Sequence, residues 1–165
     1  MLKRIATALA GLAFALPANA TSWNDINTLG ELVSNTGTTI SVRECPDNTA
    51  HGWYQYNREQ NIDLLVICNN VVDMQDPDAV WEVLVHESTH VMQACNGGPI
   101  LKDSYTPRVL RELQETAPHY YYILQQYRGD HKRMELEAFW MELRSPHVPI
   151  KWIRDFCYQD TANDA

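Results

Sequence analysis

Asp76-Pro77-Asp78-Ala79-Val80-Trp81-Glu82-Val83-Leu84-Val85-His86-Glu87-Ser88-Thr89-His90-Val91-Met92-Gln93-Ala94-Cys95 reads as one helix, and the rest of the chain is arranged around it. Asp76 is a good N-cap. Pro77 falls at the first helical position, where its missing N–H costs nothing, and Asp78 suits the positive end of the helix dipole. Asn96-Gly97-Gly98-Pro99 then stops the chain. Between those signals nearly every position is apolar except His86, Glu87 and His90. Val83-Leu84-Val85 and Val91-Met92 leave this helix hardly any solvated face, so it belongs inside the fold.

Two histidines four apart lie one above the other on one helix face, so both imidazoles can reach a single tetrahedral ion at about 2.0–2.1 Å. Glu87 sits about 100° round the helix, out of reach of the ion but beside any water on it, where a general base is needed. The pattern is His-Glu-x-x-His, the zincin signature. A surface helix that happens to carry these residues is the plainer alternative. Its apolar flanks speak against it, because buried ionisable groups are paired or bound to metal.

Upstream, Thr21 to Gly37 is polar with a weak helical pattern through Ile26, Leu29, Leu32 and Val33, expected as a short helix at the sheet edge. Thr38 to Arg43 alternates as a strand, closed by Cys45-Pro46-Asp47-Asn48. Gly52 to Tyr56 is a second strand. Ile62 to Cys68 is a third, and its Leu64-Leu65-Val66-Ile67 run points to a central or doubly covered place. Three short strands with tight links predict an antiparallel meander, and the whole an α+β fold.

Downstream, Thr106-Pro107 opens a helix that Pro118 kinks or restarts. Tyr120-Tyr121-Tyr122 could line a cleft, but tyrosines at helix spacing read rather as core packing with hydroxyls at the rim. Asp130 caps a helix over His131 to Arg144, and Pro149 to Tyr158 forms the last, with Trp152, Ile153 and Phe156 as its apolar face. Gln159 to Ala165 is a polar tail.

Met1-Leu2-Lys3-Arg4, an apolar run from Ile5 to Leu16 and Ala18-Asn19-Ala20 together form a secretory signal peptide over residues 1–20. The run is too short to span a bilayer, and no later stretch is long enough, so no membrane anchor is expected in the mature chain. Residues 21–165 suffice for a single domain with a real core. Their 11 basic and 21 acidic residues give a formal charge of −10, which argues against nucleic acid as a partner. The expected location is periplasmic or secreted.

Four cysteines in an exported chain imply two disulfides, and three connectivities are open. In an up-down-up meander Cys45 and Cys68 lie at the same end, which pairs them and leaves Cys95 for Cys157. No Cys-x-x-Cys supports a cysteine metal site.

Catalytic zinc takes three protein ligands and leaves a place for water, so His86 and His90 need a third from Glu135, Glu137, His131, His119 or His147. Met134-Glu135-Leu136-Glu137-Ala138 follows the first motif by about 45 residues. An HExxH helix followed at that distance by Glu-x-x-Ala on a second helix resembles the gluzincin metallopeptidases, in particular their small forms. The resemblance covers the two motifs and the sheet-then-helix order. It implies that Glu135 is the third zinc ligand. Packing argues the same way, since Ala138 shares the face of Glu135 while Glu137 shares its face with bulky Trp140 and Met141. Glu137 would then be a solvated or supporting carboxylate. Phe139 stands where many relatives carry an aspartate that supports a zinc histidine, so the support must come from elsewhere, and Glu142 is a candidate.

The implied function is that of an exported zinc metalloprotease, a hydrolase acting on a peptide or protein substrate. Zn2+ would be held by His86, His90 and Glu135, with Glu87 as general base. His131, one turn before Glu135, is a candidate oxyanion donor, though it also fits a helix-start histidine with no role. Zincins hold an extended peptide along an edge strand; which strand that is here the sequence leaves open. The alternatives are a non-catalytic zinc-binding module and a disulfide-stapled interaction domain.

Overall fold

The computed structural model describes residues 21–158. The signal-peptide reading of residues 1–20 and the polar tail 159–165 lie outside the described residues. Among the described residues the fold is α+β, with six helices and one three-stranded sheet in the order α1(Trp23–Asn35), β1(Thr39–Arg43), β2(Gly52–Asn57), β3(Ile62–Cys68), α2(Pro77–Asn96), α3(Thr106–Thr116), α4(Pro118–Leu124), α5(Gly129–Glu142) and α6(His147–Cys157).

The sheet is mixed, which corrects the antiparallel meander. β1 runs parallel to β3, with Thr39 opposite Leu64 and Arg43 opposite Cys68. β2 runs antiparallel on the other side, with Gly52 opposite Ile67, so the spatial order is β1-β3-β2. Burial explains the difference. Leu65, Val66, Ile67 and Cys68 are at most 3 % exposed, so β3 has apolar side chains for both faces and takes the centre. The chain between β1 and β2 then crosses to the far edge. Because β1 and β3 still point the same way, Cys45 and Cys68 meet at one end and form a disulfide. Cys95 pairs with Cys157, tying the end of α2 to the end of α6.

α2 is the central element. Asp76 accepts the Asp78 amide as N-cap, and Gly97 closes the helix at φ 72°, a left-handed cap that glycine adopts without penalty. Val80, Leu84, Val85, Val91 and Met92 meet Leu65 and Ile67 of the sheet, α1 and α6 in the main core.

α1 is more than an edge helix. Ser22 and Asp25 form a capping box, and Ile26, Leu29 and Val33 enter the main core. The Tyr158 hydroxyl donates to the Leu32 carbonyl and anchors α6 to α1. A second core joins Val109, Leu113, Leu124, Leu136 and Phe139 of α3, α4 and α5.

The helix boundaries differ locally from the sequence reading. A single 3-10 turn, Asp103–Tyr105, leads into α3, so Thr106 lies inside that helix, and Pro118 starts α4 afresh after a break at Ala117. α5 begins at Gly129 with no side-chain cap, and α6 begins at His147. Among the described residues no helix is long and apolar enough to cross a membrane.

Candidate functional site

His86, Glu87 and His90 leave α2 on the side that faces α5 and the edge strand β2. Glu135 on α5 meets both imidazoles, with Oε2 3.3 Å from His86 Nε2 and Oε1 3.7 Å from His90 Nε2. One donor atom from each residue lies within 4.8 Å of the others. Ligand atoms of a tetrahedral ion with bonds of about 2.0–2.1 Å sit about 3.3–3.4 Å apart, so two imidazoles and one carboxylate fit zinc with little adjustment.

The far nitrogens of both imidazoles are engaged. His86 Nδ1 lies 2.6 Å from Glu142 Oε1, which puts Glu142 in the supporting position suggested for it. His90 Nδ1 lies 2.7 Å from Gln93 Oε1. Both rings therefore turn Nε2 toward Glu135. Such partners fix ring orientation and raise ligand basicity.

Glu137 is turned away from the cluster. It is 2 % exposed and accepts from Gln93 Nε2 at 3.0 Å, Ile100 N at 2.8 Å and Leu101 N at 3.0 Å. Of the two glutamates, Glu135 alone faces the histidines, because side chains two apart on a helix point about 200° apart.

Glu87 is 6 % exposed and lies beside the cluster. Burial, with the charges of Glu135 and Glu142, pushes its pKa up to about 7, although the His86 charge and the Tyr54 backbone amide favour the carboxylate. A carboxyl poised there can both take and return a proton near neutral pH. Burial by itself would lower the His86 pKa, but Glu135, Glu142 and Glu87 outweigh it and raise it to about 10. His90 is shifted down by burial and by the His86 charge. The Glu135 pKa is raised by burial but lowered more by His86, His90 and His131, and ends below its ordinary value.

Two cavities flank this cluster. One, of about 530 Å³, is lined by Tyr54, Tyr56, His90, Gly97, His131 and Glu135. The other, of about 360 Å³, is lined by Gly52, His86, Glu87, Tyr120, Tyr127 and Glu142. Both have β2 as a wall, so β2 is the sheet edge at the site. A larger cavity, about 640 Å³, lies against α1 and holds none of these groups.

His131 lies at the cavity rim, exposed to solvent. His119 stacks on Tyr120 and His147 contacts Ser145, so neither joins the cluster. Of the three tyrosines read as core packing, Tyr120 is buried on Phe139, though it also lines the smaller cavity, whereas Tyr122 is 72 % exposed and corrects that reading. The sequence reading missed Gln93, although its place one turn after His90 was a usable signal. It also missed Tyr127, whose pKa is raised by burial and by Glu135 and Glu87. Nothing local marks that tyrosine; the break between α4 and α5 brings it in.

Residues 41–158 match a family described as a domain of unknown function (DUF8637). No curated protein and no solved structure matches the chain.

Proposed function

We propose that this chain, which belongs to the DUF8637 family of unknown function, is an exported zinc-dependent metallopeptidase. The observation that carries the reading is the convergence of two Nε2 atoms and the Glu135 carboxylate, with Glu87 alongside and outside the ligand set. Two histidines and a glutamate are a catalytic rather than a structural zinc set, since a structural site fills the fourth position with protein. Zinc held there would supply a Lewis acid for the carbonyl and lower the pKa of water toward 7.

The residues divide the work. His86, His90 and Glu135 hold the ion, and Glu142 and Gln93 orient the imidazoles. Glu87 accepts the proton of the attacking water and returns it to the leaving nitrogen. Tyr127 and His131, each lining one of the two cavities beside the cluster, would donate to the developing oxyanion. An extended peptide laid along the free edge of β2 would present its backbone to the site by β-augmentation. The two disulfides agree with an oxidising compartment, and the Met1–Ala20 sequence supplies the route out of the cell, with the mature chain beginning at Thr21.

The test is metal analysis of the purified mature protein, then cleavage of a mixed peptide library with and without chelator. Glu87→Gln keeps shape and hydrogen bonding but cannot take the proton. It is expected to retain zinc and fold while losing on the order of 10²–10⁴ in rate. Cleavage at the wild-type rate by Glu87→Gln refutes the mechanism. Tight zinc binding with no cleavage of any peptide makes the chain a non-catalytic zinc module.

A further inference from the structure

Gln93 and Glu137 are both almost fully enclosed, at 1 % and 2 % exposure, and neither faces the space between His86, His90 and Glu135. Their hydrogen bonds nevertheless form a directed chain that ends on His90. The side-chain amide of glutamine has an accepting end and a donating end of nearly the same shape, so its partners decide which way it points. Here the partners on α5 are the Met134 carbonyl and the Glu137 carboxylate, each 3.0 Å from Nε2, and both only accept. Nε2 must therefore face α5. Oε1 must face His90, where it lies 2.7 Å from Nδ1.

An oxygen that only accepts requires a proton on Nδ1. The lone pair of neutral His90 is then on Nε2, the atom turned toward Glu135. Which ring nitrogen carries the proton is set by the bond the other one makes, and an unconstrained imidazole prefers the opposite tautomer, with its proton on Nε2. Glu137 is itself held by donors, the Ile100 and Leu101 amides at 2.8 and 3.0 Å. The same carboxylate thus anchors the loop after Gly97 and Gly98, two glycines that border the larger cleft cavity.

We propose that Gln93, anchored by Glu137, is a positioning residue that sets the tautomer of His90 before any metal arrives. The inference rests on the zinc reading for its use, but its observable does not need the metal. It assigns a purpose to the buried glutamate that is not a ligand, and it makes Gln93 the counterpart, for His90, of what Glu142 is for His86.

The experiment is 15N NMR of the histidine rings in metal-free protein near pH 8, where an ordinary imidazole is neutral. The wild-type His90, assigned by comparison with His90→Asn, is expected as the Nδ1–H tautomer. Gln93→Met keeps the volume but removes the acceptor, and His90 should move to Nε2–H. Zinc titration of the same samples should show a loss of about 10–100-fold for Gln93→Met.

A wild-type His90 carrying its proton on Nε2 overturns the inference with no variant needed. So does an Nδ1–H tautomer that survives Gln93→Met. If the variants do not fold, the wild-type spectrum alone decides. If the wild type shows the Nδ1–H tautomer but binds no zinc, the proposed function fails while the positioning by Gln93 stands.

Discussion

Gly52→Ala tests whether the edge strand β2 and the helix α2 are held at contact distance. An added Cβ at Gly52 would lie 2.5 Å from the Val66 carbonyl oxygen, 2.7 Å from Val83 Cγ1 and 3.5 Å from Glu87 Cγ. Carbon contacts are favourable at about 3.5–4.0 Å, so the first two approaches are about 1 Å too close. Neither neighbour can move alone. The carbonyl belongs to the central strand, and Val83 is a β-branched residue on a buried helix face with one strongly preferred rotamer. β2 must therefore shift against α2. Overpacking of this kind costs about 1–3 kcal/mol, and the better strand behaviour of alanine returns about 0.5–1. The expected net loss of about 1–2 kcal/mol should lower the midpoint of thermal unfolding by about 3–7 °C in a chain of this length. On the proposed peptidase reading the displacement would also slow cleavage, because the Tyr54 amide that supports Glu87 lies two residues along the same strand. A misplacement of about 1 Å can cost on the order of 10² in rate. Urea unfolding and peptide cleavage measure the two effects. Stability within about 0.5 kcal/mol of wild type would show that β2 yields freely and that the close approach at Gly52 has no mechanical role.

Glu142→Gln removes a carboxylate 2.6 Å from His86 Nδ1, so the protonated ring loses one of the two carboxylates that hydrogen-bond it; the His86 pKa should fall by about 1–3 units from about 10 in an NMR titration of metal-free protein. An unmoved titration would refute the role assigned to Glu142. Replacing Cys95 and Cys157 by serine opens a loop of 62 residues, against 23 for Cys45 and Cys68, so chain entropy predicts losses of about 4 and about 3 kcal/mol respectively; urea unfolding should show the larger loss for the first pair. Glu112 accepts from Trp140 Nε1 at 3.0 Å and Arg144 Nη2 at 2.6 Å, which hold its pKa below the ordinary 4.5. Its contribution is complete above that pH and is lost as the pH falls through the lower folded value, so Glu112→Gln should cost about 1 kcal/mol at pH 7 and almost nothing near pH 2.

Local chemistry by itself determined the helix α2. Asp76, Pro77 and the glycines after Asn96 act within one turn of the helix ends, and the spacing of His86 and His90 is a property of the helix period. The strand positions were legible for the same reason, since alternation and turn residues are short-range signals. Strand order was not. Whether β1 pairs with β2 or β3 depends on which strand can be buried on both faces, and that is settled only when the helices pack on the sheet. The Cys45 and Cys68 pairing survived the change because it needed only the direction of β1 and β3. Between Glu135 and Glu137 the sequence offered a preference from helix faces and a resemblance. What turns Glu137 away is its grip on Gln93, Ile100 and Leu101, residues some 36 to 44 positions distant. Glu142, Gln93 and Tyr127 are brought to the histidines by contacts between α2 and the later helices, and such contacts leave no trace in any single stretch of chain.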